Sequence, residues 1–372
     1  MNVLGIISFK AFPAKMGGQK GAADFYKYLS TDCNIILAAS KDNEAGNNHP
    51  FTILPFLFNH WLGFLNFIYL PALLQVIKKN KIDIIIIEHS YFAWLGLLLK
   101  RLSGKPFVIH AHNIETERFR IAKRSWWKLY KHYEQWAHQK TDLIFYKCEE
   151  DAQYFINANG TKHPPYTVIP YGTLHTTIPT AEEKVNAAKS IRTFHSIDED
   201  ELLFLFNGTL DYAPNIDAVK VIIHQIIPKA RQINFLFKII LCGNRMEENL
   251  QKEISAFPEI VYAGYVNDID VYMKGCDAFI QPSAFATGIK TKLVEALAND
   301  LMVITTESGA RGLQFEYLQQ KIKKIKDNDI NSFIESMQQI KDRNEHHTPI
   351  EFFNQFYWQN ITHKAFLSLQ KL

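Results

Sequence analysis

The chain has 372 residues, 47% of them hydrophobic, and a formal net charge of +3. That length favours two domains with full cores over one, and so small a charge gives no reason to expect nucleic acid as a partner. Four scattered cysteines (Cys33, Cys148, Cys242 and Cys276) form no CxxC pair, so neither a zinc site nor a disulfide framework is indicated and a reducing cytoplasm is the expected compartment.

Met1 to Ser8 has no basic region followed by a cleavable apolar segment and reads as a first strand, not a signal peptide. Short apolar runs then recur at Val3–Ile7, Ile82–Ile87, Phe107–His110, Leu143–Phe145 and Val168–Ile169. Between them Gly21–Leu29, Tyr91–Leu102 and Trp126–His138 carry helical spacing. Continuous apolar runs alternating with helices predict parallel strands joined by helical crossovers. One stretch, Phe51 to Ile77, holds no Asp, Glu, Lys or Arg and is long enough to span a bilayer. Pro55, Asn59, His60, Asn66 and Pro71 interrupt it, so a buried or interfacial segment is expected instead.

The pattern restarts with strands at Leu202–Phe206, Phe237–Leu241, Ile260–Ala263, Ala278–Ile280 and Met302–Thr305. Helices are expected at Asn215–Arg231, Glu247–Ala256, Asp268–Lys274 and Thr291–Ala298. The polar stretch Thr173–Asp200 has no apolar run of strand length and reads as a linker. The tail Phe352–Leu369 is aromatic and helical. The expected fold class is α/β, with two Rossmann-like doubly wound lobes and a ligand cleft between them at the carboxyl ends of the strands.

The run Gly288-Ile289-Lys290-Thr291-Lys292-Leu293-Val294-Glu295-Ala296 carries the most chemistry. It follows a buried strand ending at Pro282, and Gly288 lets the backbone approach a ligand. The first amides of the helix are unpaired and, with the helix dipole, form an anion site. Lys290 and Lys292 add cations where the dipole disfavours them, which points to a compensating anion. Glu295, a turn further in, can accept two hydrogen bonds from a diol such as ribose. By spacing alone, an ordinary helix start with a glycine and exposed lysines reads at least as well.

This run resembles the donor-binding signature of the retaining family 4 glycosyltransferases, a Gly-Ile-x-x-Lys-x-x-Glu-Ala core after a strand ending in Pro. The sequel, Asn299 to Thr306 and then Gly309-Ala310-Arg311-Gly312-Leu313, resembles the family's continuation. Val168-Ile169-Pro170-Tyr171-Gly172 resembles the junction between lobes, Phe206 to Asn215 the opening of the second lobe, and Val261 to Asp277 the segment that holds the nucleotide base. Gly17-Gly18-x-x-Gly21, Asp83 to Gly96 and His110-Ala111-His112-Asn113 match in the first lobe, so the resemblance covers nearly the whole chain in collinear order. Two departures stand out. Thr287 occupies the place of the family's earlier glutamate. Thr209 and Pro214 occupy the places of an Arg and a Lys that hold the diphosphate in many members. A subset similar to this chain lacks that basic pair and assigns diphosphate binding to Lys292, helped by Lys290 and helix amides.

The resemblance implies a GT-B fold. Its acceptor-side lobe would run over 1–180, a nucleotide-sugar lobe over 181–350, and a C-terminal helix over 351–372 packing back on the first lobe. It implies retaining transfer of a hexose from a UDP- or GDP-linked sugar, with no further cofactor, to a glycan or lipid-linked acceptor of the cell envelope. Diphosphate charge would be neutralised by helix amides and basic side chains rather than by a metal; no Asp-x-Asp stands after a strand in a place suited to hold one. His112 and Glu295 are the expected catalytic residues, His112 at the donor sugar and Glu295 positioning the donor. Donor binding is expected of Gly208, Gly288, Ile289, Lys290, Thr291 and Lys292. Gly17 and Gly18, in the loop after the first strand, can approach the donor phosphate or the acceptor, and Arg311 can reach a phosphate. His110 and His89 are weaker candidates. Each of these residues has a plain alternative as a turn, a cap or a solvated side chain.

Lys123-Arg124-Ser125-Trp126-Trp127-Lys128-Leu129-Tyr130-Lys131, with Arg118 and Arg120 before it, is basic and aromatic. Such a helix suits peripheral contact with an anionic membrane at its inner face, or packs its Trp side chains inward. Two other readings stay open: a sugar-nucleotide epimerase of the same fold, and a non-catalytic glycosyltransferase-like partner protein. A nicotinamide dehydrogenase is disfavoured, since no GxGxxG with a following acidic residue opens the chain.

Overall fold

The computed structural model describes residues 1–14, 17–44, 46, 49–284, 288–340 and 346–372, with the backbone alone at 60 and 61. The chain divides into two compact units. The first comprises residues 1–172 together with Gly288, Ile289 and Trp358–Leu372; the second holds most of the remainder, to Tyr357.

The first unit is built on a parallel sheet of β1 (Asn2–Ile7), β2 (Asn34–Ser40), β3 (Thr52–Leu57), β4 (Ile84–Glu88), β5 (Phe107–Ala111), β6 (Leu143–Tyr146) and β7 (Tyr166–Val168), in the order β3-β2-β1-β4-β5-β6-β7. β4 is four isoleucines and a glutamate, all buried, as a strand covered on both faces requires. Ile85, Ile87, Phe107, Ile109 and Ala111 face one side, into a core completed by Leu4, Ile6, Leu95, Leu99 and Ala137. The alternate positions, Glu88 and His110 among them, face the other. The order reverses between β1 and β4, a topological switch point where doubly wound sheets place ligands.

The second unit repeats the plan with β8 (Leu202–Asn207), β9 (Phe237–Cys242), β10 (Ile260–Gly264), β11 (Ala278–Gln281), β12 (Met302–Thr306) and β13 (Ile322–Ile325), in the order β10-β9-β8-β11-β12-β13. Its switch point lies between β8 and β11. Phe204, Phe206, Ile239, Leu241, Ile280 and Ile304 supply its core with the helices over 213–232 and 330–338.

Several expectations need correction. The stretch 173–200 is not simply a linker: Ala181–His195 is a helix of the second unit. Thr180 and Glu183 close a capping box at its start. It buries only Ala187 and Ile191 as apolar side chains, but Arg192 reaches the Asp277 carboxylate, which also accepts from Leu203 N at 2.7 Å. The uncharged stretch 51–77 becomes β3, a 3-10 helix over His60–Tyr69 and the helix Leu70–Lys79. No helix among the described residues is long and apolar enough to cross a membrane. The single helix expected over 215–231 is split by a π-helical segment, Ile222–Ile226, just before Pro228, whose missing N–H breaks the ladder. The tail helix is likewise two. Ile350–Phe356 ends where Phe356 O accepts from Thr173 N, and Trp358–Leu369 then packs on the helix Gly17–Leu29, with Gln359 Nε2 donating to Thr31 Oγ1 at 2.8 Å.

Candidate functional site

In the second unit the helix Thr291–Ala298 starts three residues later than Gly288, with Lys290 as its N-cap and no side chain capping it. Among the described residues no acidic side chain lies in its first turn, so the positive end of its dipole meets no carboxylate there. Lys292 is half-buried and turned toward the switch point. Its Nζ donates to Asn207 O at the end of β8 (2.7 Å) and to Asn215 Oδ1 (2.8 Å), and lies 3.5 Å from Gln281 Oε1 at the end of β11. It also sits 4.2 Å from the centroid of the Phe206 ring. Burial lowers its pKa to about 7; Lys290 adds to the effect and Glu295 opposes it. Glu295, on the same helix, is partly buried.

Asn215 links this lysine to the turn after β8, since its Nδ2 donates to Thr209 O at 2.8 Å. Gly208 has φ 151, and a Cβ there would lie 2.5 Å from Asn215 Nδ2, so glycine is required for the turn to pass this close. Pro214 lies in the first turn of the helix Ala213–Val221. Arg311 stands partly buried in the segment between β12 and β13, and Thr291 is the first residue of its helix.

Gly288 and Ile289 cluster with the first unit. Gly288 is buried with φ 58, and a Cβ would lie 2.3 Å from Asn113 Oδ1 and 3.2 Å from His112 O. Thr287 lies outside the described residues. Gly17 and Gly18 begin the first helix; among the described residues nothing lies within 4 Å of where a Gly18 Cβ would be, whereas a Cβ at Gly21 would lie 3.1 Å from the Tyr171 ring. Gly18 therefore has an open face, and Gly21 serves packing.

His112, just beyond β5, belongs to a cluster that sequence reasoning read only in part. Glu88, fully buried at the end of β4, pairs in register with His110 on β5. Its Oε1 lies 3.0 Å from His110 Nδ1, and its Oε2 is 2.5 Å from His112 Nε2. Lys147 Nζ reaches His110 Nε2 from the other side at 2.7 Å. Burial opposes the Glu88 charge, but His110 and His112 outweigh it and hold the carboxyl well below its usual range. Burial pushes His110 down to about 4 and Lys147 to about 8, and with the neighbouring His89 it keeps His112 well below the ordinary imidazole value. One donor atom from each of Glu88, His110 and His112 lies within 4.8 Å of the other two. That donor set has the composition of a metal site, yet the Lys147 ammonium already supplies a cation against it. His89 stacks on His112 at 4.2 Å between centroids and contacts Glu115 Oε1 at 3.0 Å.

Glu88, Lys147, Asn207, Asn215 and Gln281 were not singled out by sequence reasoning. Glu88 alone left a signal: it is the lone carboxylate closing an all-isoleucine strand.

On the outer surface of the first unit, Lys123, Arg124, Trp126, Lys128 and Leu129 are exposed, Leu129 by 74%. Arg118 and Arg120 are instead drawn to Glu115 and Glu117. Phe64, Phe67 and Ile68, on the 3-10 helix, are also more than half exposed. Gly63 lies against the Phe92 ring, and the neighbouring Trp94 N donates to Tyr133 OH on the helix Trp127–Lys140.

Two doubly wound units of this strand order are the architecture of the GT-B fold. The profile of Glycosyltransferase Family 4 matches residues 17–173, and that of Glycosyl transferases group 1 matches residues 201–343. Between them they account for both units, and the chain belongs to the family 4 type of GT-B glycosyltransferases. It is 26% identical over 283 residues to the Escherichia coli UDP-Gal:alpha-D-GlcNAc-diphosphoundecaprenol alpha-1,3-galactosyltransferase, covering 73% of this chain and 70% of that one. Its fold is similar to that of sucrose-phosphate synthase from Thermosynechococcus elongatus (TM-score 0.76, 15% identity, 100% of this chain and 99% of the other). It is also similar to that of Anabaena HepE in complex with UDP (TM-score 0.73, 15% identity, all of both chains).

Proposed function

We propose that this glycosyltransferase moves a hexose from a UDP-linked sugar to a lipid-linked glycan acceptor with retention at the anomeric carbon, in cell-envelope polysaccharide or glycolipid synthesis. The observation that carries the reading is Lys292 beside an uncapped helix start at the switch point of the second unit. A leaving diphosphate needs its charge met as the glycosidic bond breaks, and fixed amides with an ammonium do so without reorganising. Lys290 and Thr291 at that helix start, Gly208 in the adjacent turn, Gly288, Ile289, Arg311 and the Gly17–Gly18 turn complete the assigned donor contacts. Glu295 holds the donor through its diol, and His112 meets the donor sugar.

The Escherichia coli relative, by its name, uses UDP-Gal and a diphosphoundecaprenol-linked acceptor. That supports the donor base and a lipid-linked acceptor here. An α product from an α-linked donor is the retaining outcome, and the group-transfer role asks for no protein nucleophile. The exposed cations and aromatics over 123–131, with Phe64, Phe67 and Ile68, suit peripheral contact with an anionic membrane, where such an acceptor resides.

The test is a donor screen. The full chain is incubated with UDP-galactose, UDP-glucose, their N-acetylated forms and GDP-mannose, with and without a prenyl-diphosphate-linked N-acetylglucosamine. Thermal shift, nucleotide release and product anomeric configuration are measured. A shift with UDP sugars, lost in Glu295→Ala and Lys292→Ala, and an α-linked product are expected. No shift with any nucleotide diphosphate would sink the donor site, and an inverted product would sink the retaining mechanism.

A further inference from the structure

The Glu88 cluster has a hydrogen-bond logic that fixes where protons sit. An ionised carboxylate only accepts, so the ring nitrogens facing Glu88, His110 Nδ1 and His112 Nε2, must both carry hydrogens. An ammonium only donates, so His110 Nε2, facing Lys147, must be bare. Lys147 and Glu88 thus bracket His110 with opposite charges, and neither can reverse its role. For a neutral His112 one position remains: the proton is on Nε2 and the lone pair on Nδ1. Among the described residues Nδ1 has no hydrogen-bond partner, and the side chain keeps 11% exposure. Stacking on His89 and an edge contact with Phe9 fix the ring plane.

We propose that Glu88 is a positioning residue that locks His112 in its Nε2–H tautomer, so that His112 offers an acceptor, not a donor, to a hydroxyl of the donor sugar. This rests on the reading of His112 as the group at that sugar. Lys147 and His110 serve the lock by holding Glu88 ionised and correctly turned. An acceptor at Nδ1 selects a hydroxyl at that position and discriminates against a deoxy or an O-substituted sugar, which has no proton to give.

The experiment is histidine-selective nitrogen-15 labelling of the full chain, with two-bond nitrogen–proton correlations that assign each imidazole tautomer. Wild-type His112 is expected to be protonated at Nε2. Glu88→Gln keeps the shape but offers one acceptor and one donor. Because Lys147 keeps His110 Nε2 bare, the amide oxygen must face His110 and the amide nitrogen must face His112. His112 is then forced to the Nδ1–H form. Wild-type protonation at Nδ1, or the same His112 tautomer in a folded Glu88→Gln protein, overturns the proposal. Bound zinc in the isolated wild type that is lost in Glu88→Gln also overturns it, because the three side chains would then be ligands.

Kinetics give a second arm. Glu88→Gln is expected to lower kcat/KM for the donor by roughly 5- to 150-fold, the scale of one buried hydrogen-bonding group left mismatched. The preference for the donor over its deoxy analogue should shrink by the same factor. Glu88→Asp, which still only accepts, should recover most of the loss, and Glu88→Gln in a His112→Ala background should cost nothing more. Equal losses in the Asp and Gln variants, or additive losses in the double variant, overturn the lock. The spectrum needs no turnover, so absence of donor turnover in the wild type defeats the proposed function separately.

Discussion

In the proposed donor site, Lys292 is the side chain whose charge would meet the diphosphate. Replacing it with Met keeps the stem against Phe206 and removes the ammonium. A hydrogen bond to a charged group contributes about 1.5–3 kcal/mol net, so Lys292→Met should weaken UDP binding by about 10- to 150-fold. The same ammonium predicts a pH dependence. Without ligand its pKa is lowered to about 7 by burial, so it loses its proton as pH rises through that value. A bound diphosphate favours the charged form and raises the pKa, so binding takes up a proton. UDP affinity should therefore fall above pH 7, approaching tenfold per pH unit until the pKa of the complex is reached. The sign for the fold alone is the opposite of the usual paired lysine. Its folded pKa lies below its unfolded one, so the unfolded chain holds more protons between them and stability rises with pH from about 7 upward. Titration calorimetry in two buffers of different ionisation heat measures the proton uptake directly. Affinity independent of pH between 7 and 9 in the wild type, or an equal slope in Lys292→Met, would refute the reasoning.

Asp300 accepts from Lys321 at 2.8 Å and from Lys184, His347 and Thr348 N, and Lys321 is buried. Asp300→Asn leaves that ammonium uncompensated and should cost about 3–5 kcal/mol of stability in urea titrations at neutral pH. Burial opposes the Asp300 charge, but the lysines hold its carboxyl below the usual range. Its contribution is therefore present above pH about 4 and lost below it, where the variant should approach the wild type. A wild-type–variant difference that stays constant down to pH 2 contradicts this. Gly208→Ala meets both φ 151 and the Asn215 amide. A loss of about 1–3 kcal/mol should be accompanied by weaker UDP binding, because Asn215 holds Lys292; unchanged binding would separate the turn from the lysine. In vesicle sedimentation at low salt, the chain should bind phosphatidylglycerol-containing bilayers and not neutral ones. Replacing Lys123, Arg124 and Lys128 with Gln should weaken that binding by about 100-fold, at about 1 kcal/mol per cation. Equal binding to both kinds of vesicle would dismiss the basic surface.

The parts of this molecule that sequence patterns reveal are those whose stability is local or uniformly apolar. Ile84–Ile87 can only be a strand covered on both faces, and Thr291–Ala298 carries its helical apolar face within eight residues. β2, a central apolar strand over Asn34–Ser40, was not among the expected strands although its pattern offered it; two other unexpected strands depend on position within a sheet. β3 contains Pro55, which only an edge strand tolerates, and β3 is an edge of its sheet. β13 is Ile-Lys-Lys-Ile at the edge of the other. The helix Ala181–His195 buries an arginine on an aspartate 85 residues away, so its apolar stripe was too thin to show.

The site divides in the same way. The helix start with Lys290, Lys292 and Glu295 is contiguous and could be read. What turns Lys292 from an exposed cation into a half-buried one is Asn207, 85 residues back, and Asn215, 77 back. Only the reversal of strand order between β8 and β11 brings these together. In the first unit the parallel pairing of β4 with β5 sets Glu88, at the end of β4, beside His110 in register. The two-residue step to His112 then returns a second imidazole to the same carboxylate. A glutamate after four isoleucines gains its meaning from the strand that lies next to it. That adjacency is a property of the sheet, and it converts an isolated carboxylate into the group that sets the proton on a histidine 24 residues later.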